Sequence, residues 1–153
     1  MADISKNAKA PGAVDVVIMA AGKGTRMKSS LPKVLHLLAG RALLRHVVDT
    51  AADLSARQVV VITGHGAAEV EAAMKPADGT GVEMSFVRQE PQLGTGHAMQ
   101  QAAPVLRDDG LVVVLSGDVP LIRADTLRQL MAASGGDKLA LLTIDFADPT
   151  GYG

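Results

Sequence analysis

Three runs of consecutive apolar, mostly β-branched residues constrain this chain more than anything else in it. They are VDVVIMA at 14–20, QVVVIT at 58–63 and LVVVLSG at 111–117. A strand with one wet face alternates polar and apolar side chains, whereas a run without alternation suits a strand covered on both faces. The segments between the runs can supply the cover. RALLRHVVDTAADL (41–54) places Leu43, Leu44, Val47, Val48 and Ala51 at helical spacing. AAEVEAAM (67–74), GHAMQQAAPVL (96–106, with a proline near its end) and ADTLRQLMAA (124–133) also read as helices. VEMSFV (82–87) and KLALLTIDF (138–146) read as further strands. Strand–helix–strand repetition predicts an α/β fold with a doubly wound, mostly parallel sheet.

In such sheets the ligand crevice lies beyond the carboxyl ends of the strands. Attention therefore falls on residues 20–33, 64–66, 88–96 and 116–120, and three of these segments carry unusual chemistry. The first is AAGKGTRMKSSLPK. Gly22 and Gly24 permit positive φ angles and a close approach of backbone N–H groups to a ligand. Arg26 offers a planar, permanently charged fork for phosphate oxygens, and Lys33, after the rigid Pro32, adds a point charge. The pattern describes a polyphosphate cradle. It is not a P-loop, and the third glycine of the dinucleotide fingerprint is replaced by Met27. A plain strand-to-helix turn would also use glycines.

The second segment is RQEPQLGTGHA (88–98). Gln89 and Gln92 are neutral donor–acceptor groups able to read a base edge. Gly94 and Gly96 flank Thr95, which lets the backbone approach a flat ring. A helix start capped by Thr95 is the alternative. In the third segment, Asp118 follows a buried strand, where a carboxylate suits a hard cation or an ordinary turn. His36, His46, His65 and His97 show no metal-ligand spacing and read as packing or surface groups. Met19 and Met27 read as core or loop packing, with the Met19 backbone a candidate nucleotide contact.

Composition narrows the partners. The 15 basic and 16 acidic residues leave a net charge of −1, which gives no electrostatic reason to expect nucleic acid or an anionic membrane. Aromatics are 2%, too few for a base-stacking surface. Cysteine is absent, so no disulfide or thiolate site exists, which fits a reducing compartment. No apolar run is long enough to span a bilayer, and 153 residues suit one domain. The polar start, residues 1–13, reads as a flexible tail rather than a signal peptide.

GKGTRMKSSLPK matches the pattern G-x-G-T-R-M-x₄-P-K of the nucleoside-diphosphate-sugar pyrophosphorylases. Together with QLGTGHAMQQAAP, GDVPLI and DPTGYG, the chain from 14 to 153 resembles more narrowly one bacterial family. That family comprises the bifunctional N-acetylglucosamine-1-phosphate uridyltransferases and glucosamine-1-phosphate N-acetyltransferases. The resemblance implies a Rossmann-like nucleotide-diphospho-sugar transferase fold and the conversion of UTP and N-acetylglucosamine-1-phosphate to UDP-N-acetylglucosamine and pyrophosphate. The product would serve peptidoglycan and lipopolysaccharide precursor synthesis in the cytoplasm. Arg26 and Lys33 would be catalytic. Met19, Ala20, Ala21, Gly22, Gly24, Lys33, Gln89, Gln92, Gly94, Thr95, Ser116, Gly117, Asp118 and Gly153 would bind nucleotide or substrate, and Asp118 would bind Mg²⁺. Some relatives carry Tyr where Ser116 stands, so any ring contact there is lost.

The resemblance further implies that residues 14–153 form the nucleotide-binding part of the uridyltransferase domain. A sugar-binding remainder with the second metal ligand, and a left-handed β-helix with the acetyltransferase and a trimer interface, would lie outside this chain. Competing expectations are another sugar-1-phosphate nucleotidyltransferase and a non-catalytic nucleotide-sugar-binding module.

Overall fold

The computed structural model describes residues 12–22, 24, 27–75, 82–148 and 150. Arg26, Gly153 and most of the expected tail lie outside the described residues. In chain order come β1 (Val14–Met19), a short hairpin of β2 (Leu37–Leu38) and β3 (Arg41–Ala42), α1 (Leu43–Asp53) and β4 (Gln58–Thr63). Then follow α2 (Ala67–Ala73), β5 (Glu83–Arg88), α3 (Thr95–Ala102), β6 (Leu111–Ser116) and α4 (Ala124–Ser134).

The main sheet has the order β5-β4-β1-β6, and every neighbouring pair is parallel. The chain builds outward from β1 through β4 to β5, then returns to lay β6 on the other side of β1. The direction of growth reverses between β1 and β6, which makes that junction the switch point where such sheets hold ligands.

The register assigns the faces. Val16, Ile18, Val59, Val61, Val113 and Leu115 share a face and a core with Leu44, Val47, Val48 and Ala51 of α1, Val70 of α2 and Leu127 of α4. Val17, Val60 and Ile62 point the other way and pack on Ala98 and Ala102 of α3. Helices on both faces explain why β1 and β4 tolerate no polar alternation. The exception is Asp15, buried in β1, whose two carboxylate oxygens accept from Arg57 at 2.9 and 2.7 Å. Arg57 also reaches Asp109 at 2.9 Å, so one guanidinium ties β1, the start of β4 and the approach to β6 at the amino end of the sheet.

Three expectations need correction. The run at 111–117 predicts a strand like the other two, but Val112 and Val114 of β6 stay 42% and 43% exposed. They lie on the α3 face, and that helix packs over β1, β4 and β5 instead. Residues 138–146 form no strand. Their large apolar residues are exposed and residues 138–142 run beside β6 and α4, bordering a groove of about 550 Å³. Strand propensity alone does not add a segment to a sheet. Finally, the predicted helix 96–106 ends at Ala102 and tightens into a 3₁₀ turn at Ala103–Val105, where Pro104 supplies no N–H.

Candidate functional site

Backbone ladders running past the strands build the site. Ala20 N–H donates to Ile62 O at 2.8 Å, Gly117 N–H to Met19 O at 2.9 Å, and Gln89 N–H to Thr63 O at 2.8 Å. These three bonds deliver the ends of β1, β4, β5 and β6 to one edge. There they enclose a cavity of about 430 Å³, in the size range of small-molecule sites.

Lys33 reaches the cavity because the chain around it is pinned on both sides. Pro32 is buried against Gly66, where a Cβ would fall 2.5 Å from the proline ring. Val34 and Leu35 follow in a 3₁₀ turn and enter the core. Gly24 closes over this segment with φ +58°, and a Cβ there would lie 2.8 Å from Lys33 Cβ. Gly22, by contrast, does not adopt a positive φ, so the expectation of a left-handed residue holds at position 24 and not at 22.

The Lys33 ammonium donates to Asp118 Oδ2 at 2.5 Å, across 85 residues of sequence. The side chains are 38% and 32% exposed, so the pair sits at the cavity wall rather than in the core. Asp118 is placed by the turn after β6, where Gly117 packs so closely that a side chain would press on its neighbours. A Cβ would meet Met19 O, Val34 and Leu44 at 3.2 to 3.3 Å.

The other wall comes from β5 and α3. Gln89 is 4% exposed, and its amide nitrogen donates to Gly94 O at 2.8 Å. Gly94 has φ +93° and precedes α3, which begins at Thr95. Thr95 is the first helical residue and makes no capping bond, which removes the alternative of a Thr95 cap. Gln92 lies against Gly64, where a Cβ would stand 2.5 Å from its Nε2 and 2.9 Å from Ala21 Cβ.

Of the residues singled out from sequence, Met19, Ala20, Ala21, Gly22, Gly24, Lys33, Gln89, Gln92, Gly94, Thr95, Ser116 and Asp118 all line this one cavity. Gly117 stands directly behind it. Met27, read as packing, lines the cavity as well, as do Val34 and Ala98. Sequence reasoning marked residues 64–66 but gave Gly64 and Gly66 no role. Both fall in the short loop after β4, and position alone was the available signal. The same reasoning read His97 as a packing or surface group, and the ring contacts Gln89. Among the described residues no group of three or more His, Asp or Glu side chains is arranged to hold a metal, and no helix is long and apolar enough to cross a membrane.

One further contact stiffens the wall. Arg88 donates to both carboxylate oxygens of Glu71 at 2.9 and 2.8 Å, joining β5 to α2 beside Thr63. The Arg88 hydrogen bonds hold the Glu71 carboxyl below its ordinary range, against the opposing effect of burial.

A parallel sheet wound in both directions from β1, with its polar groups gathered at the switch point, defines the class of α/β domains that cradle a ligand between strand ends. Within that class the chain belongs to the MobA-like NTP transferase domain family, which it matches over residues 16–150. It is 81% identical over 142 residues to the bifunctional protein GlmU of Albidiferax ferrireducens, and 70% identical to that of Polaromonas naphthalenivorans. Each match covers 92% of this chain, which spans 31% and 30% of those relatives. Among solved structures it resembles a UDP-glucose pyrophosphorylase from Acinetobacter baumanii, with TM-score 0.71 and 22% identity over 82% of this chain and 53% of that one. A nucleotidyl transferase from Methanothermobacter is similar at TM-score 0.63 and 25% identity, over 78% and 56%. The first of these likenesses shows the fold alone.

Proposed function

We propose that this chain is the nucleotide-binding part of a uridylyltransferase that joins UTP to N-acetylglucosamine-1-phosphate and releases pyrophosphate. The observation that carries the reading is the gathering of the Lys33–Asp118 pair and the Gln89–Gly94 pair on opposite walls of one cavity. One wall suits phosphate, the other a base. The 81% identity to a bifunctional protein GlmU supports the choice within the family.

The reaction needs positioning and charge stabilisation more than covalent chemistry. The sugar phosphate oxygen attacks the α-phosphorus of UTP, and pyrophosphate leaves from the opposite side. Lys33 holds phosphate oxygens, joined by Arg26 from the same loop, and steadies the departing charge. Gln89 and the Gly94–Thr95 backbone hold the base. Asp118 fits a divalent cation of the magnesium kind. It is a partly exposed carboxylate at a strand end, and such ions take one or two carboxylates together with substrate phosphates. Bound there, the cation would supply charge neutralisation at the phosphates.

The sugar-binding half, an acetyltransferase and trimer formation belong in this proposal to sequence outside this chain. The experiment is calorimetric titration of the chain with UTP and Mg²⁺, beside pyrophosphate release by a longer protein carrying this chain, offered several sugar phosphates. UTP binding together with preference for N-acetylglucosamine-1-phosphate is expected. Equal use of glucose-1-phosphate would assign the domain to a different sugar.

A further inference from the structure

Gln89 is a buried residue of the cavity lining, and its amide nitrogen makes two contacts. One is to Gly94 O at 2.8 Å, the other to His97 Nδ1 at 3.2 Å. His97 lies in the first turn of α3 and is not part of the cavity lining. Its other ring nitrogen, Nε2, is 3.2 Å from the Gln101 amide nitrogen, one helical turn further on.

A neutral imidazole has one donor and one acceptor, so it cannot accept from both amides. The two glutamines are not equally free to turn. Reversing Gln89 would bring its oxygen against Gly94 O, two acceptors facing each other in a buried place. Gln101 is only partly buried, and its nitrogen is held by a longer 3.3 Å bond to His97 O. Turning Gln101 therefore costs less than turning Gln89. With the Gln101 oxygen facing the ring, the proton sits on His97 Nε2 and Nδ1 accepts from Gln89. Both N–H groups of the Gln89 amide are then used within the protein. What remains for a ligand is Oε1, an acceptor.

We propose that His97 is a positioning residue for base selection. With Gly94 O, its Nδ1 locks the Gln89 amide so that only an acceptor is offered to the nucleotide, which favours a ring edge bearing an imide N–H. Uracil has such an N–H. Cytosine carries an unprotonated nitrogen at the same place and would set two acceptors against each other. The inference rests on reading the cavity as a uridine-nucleotide site.

Asn at position 97 places its side-chain oxygen close to where Nδ1 stands, whereas Leu offers no acceptor. The test is calorimetric affinity of the chain for UTP and for CTP, with Mg²⁺, in the parent, His97→Leu and His97→Asn. His97→Leu is expected to reduce the UTP-to-CTP preference about five- to tenfold, the effect of one lost hydrogen bond, while His97→Asn stays within about twofold of the parent. A folded His97→Leu with unchanged preference, or a His97→Asn that loses as much as His97→Leu, would overturn the proposal. Should His97→Leu not fold, nitrogen-15 shifts of the parent imidazole decide instead. A proton on Nε2 supports the lock and a proton on Nδ1 overturns it. A parent chain that binds UTP no better than CTP would overturn the uridine reading itself, and the lock with it.

Discussion

The Lys33–Asp118 contact joins two groups that the proposed reaction puts to different uses, one on phosphate and one on a cation. Because both side chains are about a third exposed, their mutual attraction adds little to stability, roughly 0–1 kcal/mol. Asp118→Asn should therefore melt within a few degrees of the parent. It should, however, lose the gain in UTP affinity that Mg²⁺ confers. In a longer, active protein the same change should cost roughly 10²–10³ in turnover. Lys33→Ala should weaken UTP binding about tenfold or more, the cost of a charge-assisted hydrogen bond, with uridine affinity unchanged. Titrations with UTP and uridine, with and without Mg²⁺, check both; normal Mg²⁺ dependence in Asp118→Asn would remove that residue from the metal site. At the same scale, Gly64→Ala would push its Cβ into Ala21 and Gln92. Such overpacking costs about 1–3 kcal/mol, so thermal melts should show a clear drop together with weaker UTP binding. An unchanged melt would mean that the loop after β4 yields.

At the scale of elements, the amino end of the sheet is closed by charge and the carboxyl end is opened for ligand. Hydrogen bonding from Arg57 holds the buried Asp15 carboxyl below its ordinary value of 3.8, although burial alone would raise it. A depressed carboxyl contributes stability that is present above the ordinary value and lost as pH falls through the folded one. The chain should lose melting temperature in acid below about pH 4. Asp15→Asn should be less stable at neutral pH by about 2 kcal/mol and show a flatter acid limb. Melts from pH 7 to pH 3 check this, and parallel curves for the two proteins would contradict it.

The same elements mark how far the sequence could be read. β1, β4, β5 and the four helices were legible because continuous β-branched runs, the alternation of VEMSFV and 3.6-residue spacing record what each segment buries. The half-bare β6 and the irregular course of residues 138–146 were not, because periodicity reports a segment's own chemistry and not which neighbour covers it. The hairpin at 37–42 has only two residues per strand, too few for any period. In the site, Lys33, Gln89 and Asp118 stood out by residue type in the segments that follow strands. Gly64, Gly66 and His97 did not, since their parts are a close approach to Ala21 and Gln92, a seat for Pro32 and a contact behind Gln89. Contacts of that kind appear only once the chain is folded.

As a whole molecule, the described residues gather four strand ends around the cavity at the carboxyl edge of the sheet, to which the proposed function gives a phosphate side and a base side. Orienting two reactants is the main source of rate in such transfers. The proposed division assigns the sugar's own contacts to sequence outside this chain. The most direct measurement is a calorimetric titration of the purified chain with UTP, CTP and GTP in the presence of Mg²⁺, followed by an assay for pyrophosphate release with N-acetylglucosamine-1-phosphate. The account predicts one UTP bound per chain, CTP and GTP bound at least about tenfold more weakly, as one buried polar mismatch requires, and essentially no pyrophosphate released. Equal affinity for the three nucleotides, or robust turnover by these 153 residues alone, would contradict it.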